Sequence, residues 1–313
     1  MRQLRLKDMR IIVGICIISL FSFSSLVSAG TSGKTSAEFL NIPVDARSSA
    51  MGGSFTAVAN NASASYWNPG GLVNITSIQV QFSHFAWYQD ITYEYFAAAI
   101  PVSPKFTIAA SASYVNYGTI QGYDIHDIPT GKLNSTYDMS GSLSFGFRAS
   151  DDFHIGTTVR FINIALDNNN ASAFAFDAGA QLHFTDFSLG AVLSNAGGKI
   201  RIIDRDENLP TSIKLGAAVY PYANNLIITA EAEKQLHGEL ILKGGTEYSI
   251  GGSYFFRSGY EFIPGQEIRT LDRSFSFGLG TLVGNTQIDY TYSPSYNFGN
   301  EEIHRFTLTF NLK

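Results

Sequence analysis

The chain has 313 residues, of which 45% are hydrophobic, 13% aromatic and 15% charged, with 29 glycines and a formal net charge of −5. The charged fraction lies below the ~25% of ordinary soluble domains, which favours β-structure facing a medium less polar than water. The acidic balance argues against nucleic acid as a partner, because binding phosphate requires a basic face, and Lys and Arg cluster only in the first ten residues.

Residues 1–29 have the pattern of a cleaved secretory signal peptide. Basic residues precede an apolar run over 11–26, and Val27, Ser28 and Ala29 form a small-residue cleavage site. The run is short for a membrane span and is interrupted by serines, which favours a cleaved signal over an anchor helix. The sole cysteine, Cys16, lies within it, so the mature chain has no thiol for a disulfide or a metal.

A glycine- and alanine-rich stretch, residues 45–72, follows a polar start and carries very little charge. It ends in the aromatic pair Tyr66 and Trp67 and then in Asn68, Pro69 and two glycines, a combination that predicts a sharp turn. No later part of the chain resembles it, so we predict that residues 30–75 form a plug enclosed by the strands. The alternative is a surface loop with a short helix before the first strand.

From residue 76 to the end, apolar and polar residues alternate between turn signals, which predicts a succession of β-strands. We predict about 14 strands over residues 76–313, several close to the ~9–11 residues that cross a bilayer at a tilt. Two long polar loops are expected, at 118–133 and 195–210. Seven strands precede the second loop, and the others are expected to begin near Thr211, Leu226, Leu240, Gly252, Ser274, Gln287 and Ile303.

The lengths of the predicted connections differ between the two ends of the strands. Short links such as 101–105, 149–152 and 185–186 follow even-numbered strands, whereas the longest loops follow odd-numbered ones. Outer-membrane barrels have short periplasmic turns and long outer loops, and a soluble sandwich has no reason to show this parity. The sequence therefore predicts an all-β fold, a transmembrane antiparallel β-barrel in the outer membrane of a Gram-negative-type bacterium, with its apolar stripes against lipid.

The glycine-rich stretch also resembles the N-terminal signature of the PorV/PorQ family of outer-membrane proteins. The residues that carry the resemblance are Glu38, Phe39, Leu40, Ala46, Arg47, Met51, Gly52, Gly53, Tyr66, Trp67, Asn68, Pro69, Gly71 and Leu72. The resemblance implies a FadL-like barrel with an N-terminal hatch. The expected hatch residues are Arg47, Met51, Gly52, Gly53, Tyr66, Trp67, Asn68, Pro69, Gly71 and Leu72.

If the apolar stripes face lipid, the charged residues on the opposite faces of the strands line the lumen. This set comprises Arg160, Asp177, Lys214, Glu231, Glu233, Lys243, Glu247, Arg257, Asp289 and Arg305. A lining of both signs argues against a strongly ion-selective pore, because such a pore shows a ring of one sign.

The sequence offers no constellation for catalysis. No two of the six histidines stand at a metal-binding spacing on one element, and there is no Gly-x-Ser-x-Gly elbow. We therefore predict a non-enzymatic protein with no cofactor and no metal.

Two functions remain, besides a purely structural barrel. The resemblance implies a component of type IX protein secretion that binds machinery proteins or exported cargo, with the loops 118–133 and 195–210 as its docking surface. The alternative is a FadL-like channel that carries hydrophobic small molecules across the outer membrane.

Overall fold

The computed structural model describes residues 35–86, 91–123, 126, 128–166, 169–202, 205–221, 225–264, 275–294 and 302–312. The predicted signal peptide, residues 1–29, lies outside this part of the chain. The described helices are short: α1 (Ala46–Ala50), α2 (Ala64–Trp67) and two 3-10 helices (Glu38–Asn41 and Pro69–Asn74). None of them is long and apolar enough to cross a membrane.

The described residues contain sixteen strands. They are β1 (Ile78–Ala86), β2 (Thr92–Ser103), β3 (Phe106–Tyr123), β4 (Pro129–Arg148), β5 (Phe153–Leu166), β6 (Asn169–His183), β7 (Phe187–Gly197), β8 (Lys199–Ile202), β9 (Arg205–Asn208), β10 (Ser212–Val219), β11 (Leu226–Gln235), β12 (Leu240–Ile250), β13 (Tyr254–Phe262), β14 (Phe275–Val283), β15 (Thr286–Pro294) and β16 (Glu302–Leu312).

Fourteen of these strands form one closed antiparallel barrel, which confirms the predicted number and arrangement of the barrel strands. Neighbours in sequence pair around the ring, β7 pairs with β10, and β1 closes the ring on β16. Strands β8 and β9 form a separate two-stranded sheet. Closure leaves the barrel without a free edge, and the soluble sandwich alternative is wrong.

The alternation along each strand separates an apolar outer face from a polar inner face. On β6, Phe174 and Phe176 are 58% and 55% exposed, whereas Asp177 and Gln181 are 3% and 1% exposed. Successive side chains of a strand point to opposite faces, so one strand can present phenylalanine outward and a carboxylate inward.

Both predicted long loops contain strand. Strand β3 continues to Tyr123 and β4 begins at Pro129, so most of 118–133 is a paired extension with register shifts. The region 195–210 contains the hairpin β8–β9. Ile200 of this hairpin is completely buried, and Leu209, which follows it, is almost completely buried. Both regions were predicted as loops because their sequences are polar. Strands that extend past the apolar band remain hydrogen-bonded to each other even though their side chains are polar.

We call the two ends of the barrel the short-turn rim and the long-loop rim. The short-turn rim holds the connections that follow even-numbered strands: 104–105, 149–152, 184–186, 220–225, 251–253 and 284–285. At the long-loop rim lie the strand ends that bound the longest intervals between barrel strands, 198–211, 263–274 and 295–301, and also the two-residue interval 167–168. The longest connections thus follow odd-numbered strands as predicted, but not every connection on that side is long.

Candidate functional site in the barrel interior

Residues 35–75, here called the N-terminal segment, pack against the inner face of the barrel wall. Helix α1 contacts β13 to β16, and the 3-10 helix Pro69–Asn74 contacts β3 to β6 on the other side of the ring. Met51, Phe55 and Leu72 are completely buried. The segment therefore crosses the interior from one wall to the other, and the surface-loop alternative is wrong.

Asp45 organises the start of the segment. Its carboxylate accepts hydrogen bonds from the Ser48 backbone nitrogen (2.9 Å) and the Ser48 hydroxyl (2.7 Å), which caps α1. The same carboxylate accepts a hydrogen bond from Trp67 Nε1 at 2.9 Å. One buried acid thus joins α1 to α2.

Gly52 and Gly53 turn the chain directly after α1. Their φ angles are +65° and +72°, in the left-handed region that disfavours side chains. A Cβ on Gly52 would also lie 2.7 Å from the Tyr260 backbone nitrogen of β13. Glycine at this position is required both by the turn and by the approach of the two backbones.

Asn68 fixes the second turn of the segment. It accepts from the Gly70 backbone nitrogen (3.0 Å) and donates to the carbonyls of Thr56 (2.8 Å) and Ala180 (2.9 Å). Pro69 begins the 3-10 helix, where its missing N–H costs nothing. A Cβ on Gly71 would lie 2.1 Å from the Ala59 carbonyl oxygen, so the Asn-Pro-Gly-Gly run serves internal packing.

A belt of glycines on the inner face of the wall receives the segment. Each of eight strands contributes one member of this inner glycine belt: Gly146, Gly156, Gly179, Gly190, Gly216, Gly245, Gly259 and Gly278. A Cβ on any of them would lie 1.9 to 3.2 Å from an atom of the N-terminal segment. Several are direct cross-strand partners, such as Gly245 and Gly259. Sequence analysis missed the belt, although its members share the strand parity of the inward polar residues.

Arg47 attaches the segment to a chain of alternating charges on the wall. Its guanidinium contacts Glu247 at 2.7 Å, Glu247 contacts Arg257 at 2.6 Å, and Arg257 contacts Asp289 at 2.7 Å. Arg47 also donates to Asn60 Oδ1 at 2.6 Å. Burial lowers the pKa of Arg47, but the neighbouring Glu247 carboxylate outweighs burial and raises it above its ordinary value, so the guanidinium remains charged.

The other predicted lumen charges are also buried on the inner face. Arg160 pairs with Asp177 at 2.9 Å, and Glu233 lies 2.5 Å from Lys243 and 3.6 Å from Lys214. In these three pairs the opposite charges lie on neighbouring strands, so the structure brings most of this set together as cross-strand pairs.

Two of these charges contact the N-terminal segment directly. Glu231 accepts hydrogen bonds from the backbone nitrogens of Phe55 (3.1 Å) and Thr56 (2.9 Å). Arg305 donates to the Ser49 hydroxyl, and its guanidinium lies 4.1 Å from the centroid of the Phe85 ring. The wall thus binds the segment through both signs of charge.

Tyr66 and Trp67 form an aromatic pair with edge-to-face rings 4.9 Å apart. The Tyr66 hydroxyl donates to the carbonyls of Leu40 (2.8 Å) and Ile42 (3.1 Å). Burial raises the pKa of Tyr66 well above its ordinary value, and nearby negative charge adds to this, so the hydroxyl remains a donor. The pair therefore holds the first residues of the segment in place.

A cavity of about 340 Å³ lies between the aromatic pair and the long-loop rim. We call it the charged cavity. Its lining includes Tyr66, Trp67, Lys214, Glu233, Lys243, Glu261 and Arg305, together with Ile241, Phe275 and Ile303. Five charged side chains thus share one space with aromatic and aliphatic groups.

The hairpin β8–β9 closes on the first described residues of the segment. Thr35 bridges to Asn208, and the Ser36 backbone nitrogen donates to the Asn208 carbonyl at 2.9 Å. Ile200 and Leu209 belong to the same buried apolar cluster as Phe39 and Leu40. Part of the region that was predicted as a free docking loop therefore packs against the N-terminal segment in the interior.

Among the described residues, no group of three His, Cys, Asp or Glu side chains is placed to hold a metal ion. The charged groups of the interior are instead engaged with one another and with the N-terminal segment. The arrangement supplies charge, hydrogen bonds and aromatic surface to anything that enters the cavity.

Solved structures with the same fold are found among channel proteins, although no family model and no curated protein matches the chain. The Pseudomonas putida toluene transporter TodX is 14% identical, with 86% of this chain and 98% of that chain covered and a TM-score of 0.56. A deltaS2 mutant of the TodX monoaromatic hydrocarbon channel is 13% identical, with 86% and 99% covered and a TM-score of 0.57. At these identities the likeness concerns the fold alone, and the chain shares the barrel fold of TodX.

Proposed function

We propose that the protein is an outer-membrane channel for small molecules in a Gram-negative-type bacterium, and that its N-terminal segment is the hatch of that channel. The barrel fold that it shares with TodX and the exposed phenylalanine and leucine side chains of its outer face support this proposal. The apolar outer face contacts outer-membrane lipid. The function is non-enzymatic.

The observation that carries the proposal is the way the wall holds the segment. Strand pairing closes the barrel without any part of the segment, so the segment can move without breaking the wall. At the inner glycine belt the wall presents backbone instead of side chains, so few rotamers must change when the segment shifts. A hatch that is held by ion pairs and hydrogen bonds over a smooth wall can be displaced by a solute that competes for those bonds.

Trp67 provides a direct test of the hatch. Replacing Trp67 with alanine removes a ring that contacts Tyr66 and lines the charged cavity, so we expect faster entry of small aromatic solutes into vesicles that contain the protein. Trp67→Phe is the matched control: it keeps an aromatic ring at this position and loses the hydrogen bond to Asp45. Solute entry that is equal for wild type and Trp67→Ala would refute the hatch.

A second candidate function is the type IX secretion role that the PorV/PorQ resemblance implies. The occupied interior favours it, because a barrel that binds machinery proteins or cargo at its long-loop rim has no need of an open lumen. In this case the exposed residues Arg205 and Asp206 of β9 are part of the docking surface. Reversing both charges should then reduce export of cargo proteins while solute entry stays the same, and unchanged export would count against this role.

A further inference from the structure

The charged cavity contains a buried cation without an acidic partner. Arg305 is 4% exposed, and among the described residues no carboxylate oxygen lies within 4 Å of its guanidinium nitrogens. Its Nε has no hydrogen-bond partner in the described part of the chain. Arg47 of the N-terminal segment contacts a carboxylate. So does each of the other predicted lumen cations: Arg160, Lys214, Lys243 and Arg257.

Burying a guanidinium without a carboxylate in direct contact is unfavourable, and buried charges in proteins are normally paired. The charge of Asp45 acts favourably on Arg305, but the Asp45 oxygens already accept hydrogen bonds from Ser48 and Trp67. The hydroxyl of Ser49 and the face of the Phe85 ring satisfy Arg305 only in part. Arg305 lines the cavity, so its guanidinium has room for an anionic partner there.

The remaining lining of the cavity indicates what the anion is attached to. Tyr66 and Trp67 supply aromatic surface, and Ile241 and Ile303 supply aliphatic surface. Three cations and two carboxylates line the space, and Glu233 is shared by both lysines. A flat apolar body with a single negative group fits this distribution better than a neutral or a positively charged one.

We propose that the charged cavity binds a small aromatic carboxylate, whose carboxylate is held by Arg305 and whose ring lies against Trp67 and Tyr66. Guanidinium matches carboxylate geometry with two parallel N–H donors, which is why arginine is suited to this recognition. The volume of about 340 Å³ falls within the range of small-molecule sites. This inference rests on the proposed channel function and names the substrate class of the same site.

The test compares three solutes of one shape with the purified full chain in detergent. Benzoate, benzyl alcohol and benzylamine carry a negative, a neutral and a positive group on the same ring. Titration calorimetry should show benzoate binding at least tenfold more tightly than the other two, since a hydrogen bond to a charged group contributes about tenfold or more in affinity. Benzoate that binds no more tightly than benzyl alcohol would overturn the proposal.

Two variants assign the preference to Arg305. Arg305→Gln should abolish the advantage of benzoate, whereas Arg305→Lys should retain part of it, because the charge remains without the guanidinium geometry. Arg201→Gln removes one exposed positive charge from the same rim and should leave benzoate binding unchanged. An Arg305→Gln protein that is folded by tryptophan fluorescence and binds benzoate like wild type would also overturn the proposal. If that variant does not fold, the three solutes still test the preference for a carboxylate, and Arg305→Lys still tests whether Arg305 causes it.

Vesicle entry separates this inference from the channel function. If benzoate and benzyl alcohol enter equally fast and bind equally well, the substrate class is wrong and the channel stands. If no solute enters while benzoate binding still depends on Arg305, the anion site stands and the channel function is refuted.

Discussion

Replacing Gly259 with alanine is expected to displace the N-terminal segment from the barrel wall while leaving the barrel closed. The new Cβ would lie 1.9 Å from the Gly52 backbone nitrogen and 2.3 Å from the Met51 carbonyl carbon. These are backbone atoms at a turn of fixed geometry, so they have no rotamer through which to escape. Overpacking of this kind costs about 1–3 kcal/mol, and the cost falls on the bound state of the segment.

Trypsin cleavage reports this displacement, because Arg47 is the one basic residue between 35 and 75. When the segment opens and recloses quickly, the cleavage rate follows the population of the open form, so a cost of 1–3 kcal/mol corresponds to cleavage about 5–150-fold faster. Gly141→Ala on β4 is the control, since a Cβ there meets nothing within 4 Å. Equal appearance of fragments beginning at Ser48 in both variants would contradict the contact between wall and segment.

Replacing Glu247 with glutamine is expected to destabilise the protein more than replacing Arg47 with methionine. Glu247 accepts from two guanidiniums, Arg47 at 2.7 Å and Arg257 at 2.6 Å, so its neutralisation leaves two buried cations undercompensated. Breaking a buried pair in this way costs about 3–5 kcal/mol. Removal of Arg47 leaves Glu247 paired with Arg257, and the expected cost is that of a charge-assisted hydrogen bond, about 1.5–3 kcal/mol.

The order of these two effects is the measurement that matters. Urea unfolding of the protein in lipid vesicles, followed by the fluorescence of its two tryptophans, Trp67 and Trp87, gives the free energy of unfolding for each variant. Thr157→Ser, on the outer face of β5, serves as a control that keeps the charges of the interior. A larger loss for Arg47→Met than for Glu247→Gln would show that Glu247 is not the shared acceptor.

The hairpin β8–β9 shows where inference from the sequence failed and why. Loop 195–210 contains Lys199, Arg201, Arg205 and several acidic residues, and its polarity indicated an exposed surface. The alternating Ile200 and Ile202 carried the contrary signal, because every second residue of a short strand can turn inward. Whether such a hairpin folds into the mouth of a barrel depends on apolar partners elsewhere, here Phe39 and Leu40.

The sequence by itself determined the fourteen strands of the barrel and the side of each strand that is polar, because the two-residue period of a strand is a local property of the sequence. It also located the glycine-rich segment and the inward charges such as Arg160 and Asp177. Only the tertiary structure decided which charges meet, that glycines on eight strands form one belt, and that Arg305 contacts no carboxylate among the described residues. These features depend on strand register, on ring closure and on the packing of the N-terminal segment against the wall, which brings Arg47 to Glu247, 200 positions away, and no local pattern specifies such contacts.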